Sequence, residues 1–288
     1  MSPVQSIWII LSFSAVIQLA AIAMLWPALS GDFARYYSEA GAWLSGKSPY
    51  ANSPREFHPF DPKLGDWRLH LYAIDHVVEH PEFASIYPPV AQLTFVIARS
   101  SEPLLPRGWL FSSGPQVTSL RQIAGRVALD RSILSLRILF SLCALTSVAL
   151  LVAILHHLKK SVWWSVVFAW NPLVIIDTGA MPHVDIVGIV FLLLTILMLL
   201  NNRSLVAGIM LALACGAKPQ AAILLPWLLR DIAANNPLHS RRQVARSLGG
   251  FAIACAVIYI PALAYQHGYR GFFYTLSEYS SRWEFNGS

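Results

Sequence analysis

Three places in this sequence carry residue types that could do chemistry: Asp32, the turn from Asp177 to Asp185, and Lys218. Asp32 stands in Gly31-Asp32-Phe33-Ala34-Arg35-Tyr36-Tyr37, just after a long apolar run. A carboxylate at such a boundary between membrane and water can accept a proton from a hydroxyl nucleophile. Aspartate is also among the best helix N-caps, so Asp32 could open a helix at Phe33, and taken alone that is its commoner role.

His183 and Asp185, with Asp177 at the far end of the same turn, join two apolar runs. Ionisable groups inside a membrane are functional hypotheses by default. The same residues could form a solvated turn, with Pro182 breaking the chain and Asp185 capping the next helix. The two readings stand even. His-x-Asp is also half of a metal site, and two ligands are thin support for one.

Lys218 lies near the middle of the apolar run Leu205 to Leu229, where a charge costs about 2.5–3.5 kcal/mol on insertion scales. Pro219 should interrupt the helix there. Two half-helices would then present the ammonium to a membrane surface or cavity, where a lipid phosphate is a natural partner. A Lys snorkelling from a tight turn is the plain alternative, and the functional reading is the stronger of the two. Arg131, Arg137 and Arg282 are further candidates for phosphate contact, although each is more often a plain interfacial anchor. Trp26, Trp43, Trp67, Tyr87, Trp163, Trp164 and Trp283 suit the aromatic belts at membrane surfaces and argue little as a group.

The elements that must position these groups are apolar runs. Ile7 to Trp26 is long enough to span and ends at Pro27. No Lys or Arg precedes it, unlike a cleaved signal peptide, so it reads as a retained helix. Residues 27–131 read as a long first extracytoplasmic loop with interfacial helices, one over Phe33 to Leu44 and one over Ile86 to Ala98. The second is short for a span and reads as a re-entrant or interfacial helix. Residues 99–131 read as an Arg-containing connector. Residues 132–265 read as a helix bundle, with spans at Ile133 to Leu155, Val162 to Ile176, Ile186 to Leu200 and Leu248 to Tyr265. Residues 266–288 read as the start of a further outer loop. The expectation is an all-α, polytopic membrane helix bundle in one domain, 1–288.

Composition agrees. Of 288 residues 56% are hydrophobic and 12% charged, against about a quarter charged in soluble domains. The net charge of +6 sits in short loops beside the apolar runs, which suits topology and lipid phosphates and argues against nucleic acid as a partner. Cys143, Cys215 and Cys255 lie inside apolar segments and form no disulfide or metal pattern. Two topologies compete. If residues 86–98 do not cross, the Asp32 loop and the His183–Asp185 turn share the outer face. If residues 86–105 cross, that turn faces the cytoplasm and the positive-inside rule is better met. The shortness of the 86–98 run favours the first.

Several stretches, taken in order, resemble GT-C glycosyltransferases that use polyprenyl-phosphate sugars, above all the bacterial alpha-mannosyltransferase-like membrane proteins. They are Asp32 followed by Trp43-Leu44-Ser45-Gly46-Lys47-Ser48-Pro49-Tyr50, then Tyr87-Pro88-Pro89, Asn171-Pro172-Leu173 through His183-Val184-Asp185, Gly216-Ala217-Lys218-Pro219-Gln220, and Trp283-Glu284-Phe285-Asn286. The layout is also similar to endoplasmic-reticulum glucosyltransferases that use dolichyl-phosphate glucose. Pro182 stands where that family has Gly, and family members usually continue with further helices, so the resemblance implies either a truncated chain or a shortened family branch. The resemblance implies inverting transfer of a hexose, mannose foremost, from a polyprenyl-phosphate donor to a lipid or glycan acceptor outside the plasma membrane of a bacterium. It implies Asp32 as general base and Arg35, Tyr87, His183, Asp185, Lys218 and Arg282 as substrate-binding residues. No cofactor is implied, and a strict metal requirement does not follow. The rivals are a transporter or flippase, which predicts a repeat that the sequence lacks, and a catalytically incomplete membrane partner.

Overall fold

The computed structural model describes residues 3–23, 31–56, 78, 80–105, 120–181, 183–226 and 240–282. Among them every regular element is a helix and no strand occurs. Three helical stretches, Val4–Ala23, Leu134–His157 and Arg241–Ser281, are long and apolar enough to cross a membrane. The chain divides into two compact units. One comprises Met1–Pro27, Pro88–Ala91 and Leu134–Ile258; the other comprises Ala28–Tyr87, Gln92–Ile133 and Tyr259–Ser288.

In the first unit, α1 (Pro3–Ala23) buries three of its polar side chains and exposes most of its large apolar ones. Ser6, Ser14 and Gln18 are buried at 2–5% exposure, whereas Val4, Trp8, Ile9, Phe13, Val16 and Leu19 are 45–66% exposed. A water-soluble helix would reverse this; a lipid-facing one puts its polar groups where neighbouring helices can satisfy them. Gln18 Oε1 accepts from Ser141 Oγ at 3.0 Å and from Thr178 Oγ1 at 3.1 Å. Ser14 Oγ accepts from Trp170 Nε1 at 3.3 Å.

The span expected over Val162 to Ile176 is not one continuous helix. The chain there breaks into a 3₁₀ turn (Val162–Ser165), α5 (Val166–Ala169), α6 (Pro172–Ile175) and a π-helical turn (Ile176–Ala180). Pro172 is the cause: it disfavours helical geometry in the residue before it, and Asn171 is extended (φ −67°, ψ 121°). The Asn171 side chain then caps the next turn, accepting from the Leu173 N–H at 2.9 Å. Between Ala180 and the following helix, α7 (Asp185–Leu200), the axis turns through 120°.

α7 and α8 (Ser204–Ala217) form a tight hairpin around Leu211, Ala214, Cys215 and Ala221. Asn202, at φ 58°, makes the turn between them, a backbone region that Asn tolerates better than most residues. Gly208 of α8 and Gly250 of α9 (Ser240–Ala264) let the two backbones touch. A Cβ on either would overlap a carbonyl oxygen, that of Ser247 or of Leu205 respectively.

In the second unit, α2 (Gly31–Leu44) forms where an interfacial helix was expected. α3 (Pro89–Ser101) carries the expected short helix slightly downstream. Its 13 residues rise about 20 Å, against a hydrocarbon core of about 30 Å. That length supports the reading in which this segment does not cross. Two expectations are corrected. Residues from Leu120 onward, assigned to a connector, belong to α4 (Leu120–His157), a single helix of 38 residues. Gly268–Arg282, assigned to a loop, forms α10. Gln266 and His267, at φ 51° and 57°, separate α10 from α9. The Gln266 side chain pins that break by accepting from the Ser48 N–H at 2.8 Å and donating to the Gly46 carbonyl at 3.0 Å.

Candidate functional site

Asp32 lies in the first turn of α2 and is exposed. A carboxylate there is favoured by the helix dipole. Because the helix begins at Gly31, Asp32 sits inside it and is not its N-cap. The Tyr87 phenol donates to Asp32 Oδ1 at 2.8 Å. Around the Tyr87 ring stand Tyr36 and Phe95, edge-on at 5.1 and 5.6 Å between centroids. Burial pushes the Tyr87 hydroxyl well above its ordinary range, and the neighbouring Tyr36 and Asp32 add to the effect. Tyr87 therefore stays protonated and remains a donor to Asp32.

Arg35, one turn further along α2, was expected at the substrate. Its guanidinium instead faces inward, at 8% residue exposure. It donates to the His80 carbonyl at 2.7 Å, to the Phe83 and Ala84 carbonyls at 3.4 and 3.5 Å, and to Glu39 Oε1 at 3.4 Å. These contacts tie the 80–84 segment to α2 and commit the charge internally.

Beneath this layer lies a group that sequence reasoning missed. Glu39 is 1% exposed. Its Oε2 accepts from Ser85 Oγ at 2.8 Å and from Gln92 Nε2. Burial raises its carboxyl above the ordinary value, while Arg35, Ser85 and Gln92 pull the other way. The one signal available was the Arg35–Glu39 spacing of four, which pairs charges on a helix face. Ser85 and Gln92 come from distant sequence and gave none.

Comparison with protein-family models, curated proteins and solved structures finds no match.

The other expected residues lie in the first unit. Lys218 ends α8 in an extended conformation (φ −147°, ψ 114°), and a 3₁₀ turn, Pro219–Leu224, follows. The interruption expected at Lys-Pro is present. Lys218 Nζ meets Asp185 Oδ2 at 2.9 Å, with the two side chains 34% and 52% exposed. Val184 takes the N-cap position of α7 and Asp185 is its first residue, with its carboxylate in the ion pair. His183 Nδ1 lies 2.8 Å from the Met181 carbonyl and 3.7 Å from Asp177 Oδ1. Among the described residues no three His, Cys, Asp or Glu stand together as a metal site. Arg137 is buried at 1% exposure within α4. The side chains of Arg131 and Arg282, and all of Trp26, Trp67, Pro182 and residues 283–288, lie outside the described residues.

Proposed function

We propose that this chain is an integral membrane glycosyltransferase that moves a hexose, mannose by its resemblance, from a polyprenyl-phosphate donor to a lipid or glycan acceptor. The observation that carries the reading is the Asp32–Tyr87 pair: an exposed carboxylate, at the start of an amphipathic helix, with one oxygen held by a phenol whose ionisation burial disfavours. Inverting displacement at an anomeric carbon needs one base within hydrogen-bond reach of the acceptor hydroxyl. In the proposed step Asp32 takes that proton, the acceptor oxygen bonds to the anomeric carbon, and the bond from that carbon to the phosphate oxygen breaks. The leaving phosphate is stable as an anion and needs only fixed cations. Within the first unit, Lys218 pairs with Asp185, and the resemblance implies it as a donor-binding cation whose partner a phosphate can replace.

A specific observation favours a second reading. The 120° break before Asp185, together with an ion pair at the ends of interrupted helices, is how transporters build substrate sites. Reconstitution into liposomes with labelled polyprenyl-phosphate mannose and candidate acceptors separates the two. Labelled glycosylated product supports the transferase. Movement of unmodified solute without product supports the transporter, and neither result supports a catalytically incomplete partner.

A further inference from the structure

Asp32 and Glu39 lie seven residues apart on α2, and Arg35 lies between them, so all three share one helix face. Tyr87 and Ser85 lie two residues apart on the segment opposite. The same two elements are thus joined twice, once at the exposed end by Tyr87 and Asp32 and once in the interior by Ser85 and Glu39. The exposed bond competes with water and is worth little on its own. The interior link is more elaborate. Ser85 Oγ, while donating to Glu39, accepts from the Tyr87 N–H at 3.1 Å. Gln92 Nε2 donates both to Glu39 and to Ser85 Oγ, the latter at 2.8 Å. The Gln92 amide is held in that orientation because its Oε1 accepts from Trp43 Nε1 at 3.1 Å. The Tyr87 carbonyl is fixed in turn by the Tyr50 hydroxyl at 2.7 Å.

An apolar residue at position 39 would pack α2 without the cost of burying a carboxylate. What an apolar residue lacks is direction: it would let the 85–87 segment slide along the helix. We propose that Glu39 is a positioning residue, whose carboxylate sets the register of the Ser85–Tyr87 segment and so places the Tyr87 phenol on Asp32. The inference rests on the reading of Asp32 as the base, but it can be tested apart from it.

With wild-type transfer measured in proteoliposomes, Glu39→Ala should lower kcat about tenfold, the loss expected for one misplaced hydrogen bond, with little change in KM for the donor. In a Tyr87→Phe background, where the bond is already gone, Glu39→Ala should cost less than about twofold more. Glu39→Gln, whose amide oxygen still accepts from Ser85 and Gln92, should keep most of the rate. Equal losses in both backgrounds, or no loss in the wild-type background, overturn the proposal. Ser85→Ala makes the same test if Glu39→Ala does not fold. A readout without turnover keeps the two claims apart. A 3-fluorotyrosine at position 87 reports its bond to Asp32 by its ¹⁹F shift, and Glu39→Ala should move that resonance as Asp32→Asn does. An unmoved resonance overturns the positioning role even if transfer is seen. Absence of transfer with a moved resonance overturns the glycosyltransferase reading and leaves the positioning role standing.

Discussion

Asp32 and Glu39 are two carboxylates on one helix face with opposite surroundings, one exposed and one enclosed. Burial raises the Glu39 carboxyl above its ordinary value of 4.5. Its stabilising contribution is therefore complete well below about pH 4.5, where the unfolded chain also holds the proton, and is lost as pH rises through the folded value. Gln at this position cannot ionise, so the stability of Glu39→Gln relative to wild type should increase from about pH 4.5 upward. Thermal unfolding in detergent over a pH series checks this, and a constant difference contradicts it. The Lys218–Asp185 pair is partly exposed. A double-mutant cycle of Lys218→Ala and Asp185→Ala should give a coupling of about 0.5–1 kcal/mol, as for screened pairs; zero coupling would remove the pair as a fixed feature. At this scale the sequence made Asp32 and Lys218 legible, because each stands out against an apolar background. Which partner each would find, Tyr87 or Asp185, depends on tertiary contact and could not be read.

Among the elements, α8 and α9 meet through glycine. Gly208→Ala drives a methyl into the Ser247 carbonyl and should destabilise by roughly 1–3 kcal/mol. Gly249→Ala, with nothing within 4 Å of the added atom, should be neutral or mildly stabilising, since alanine is the better helix former. Apparent melting temperatures of the two variants decide it; equal effects would contradict the close packing. Helix existence was readable wherever an apolar run had clear ends, as in α1 and α7. It was misread over 162–176, where hydrophobicity suggested one span but Pro172 and the Asn171 cap divide it. It was missed in α10, whose alternation of Tyr and Phe with Ser, Thr and Arg gives no continuous apolar run.

For the whole molecule, the exposed apolar side chains of α1, set against its buried Ser6, Ser14 and Gln18, support a membrane setting independently of composition. The axis turns through 120° between Pro172–Ala180 and α7, and we infer that α7 runs back toward the side from which the preceding segment comes. The His156–Lys160 turn and the Asn201–Arg203 turn should then open on the same side of the membrane. Cysteines at Lys159 and Asn202, labelled with an impermeant maleimide in oriented vesicles, should react together, and labelling from opposite sides would show a single broken span. The function itself turns on Asp32. In proteoliposomes supplied with labelled polyprenyl-phosphate mannose and acceptor, Asp32→Asn should lower the transfer rate by about 10²–10⁴-fold, the usual contribution of a general base. Transfer at the wild-type rate by Asp32→Asn would contradict the account.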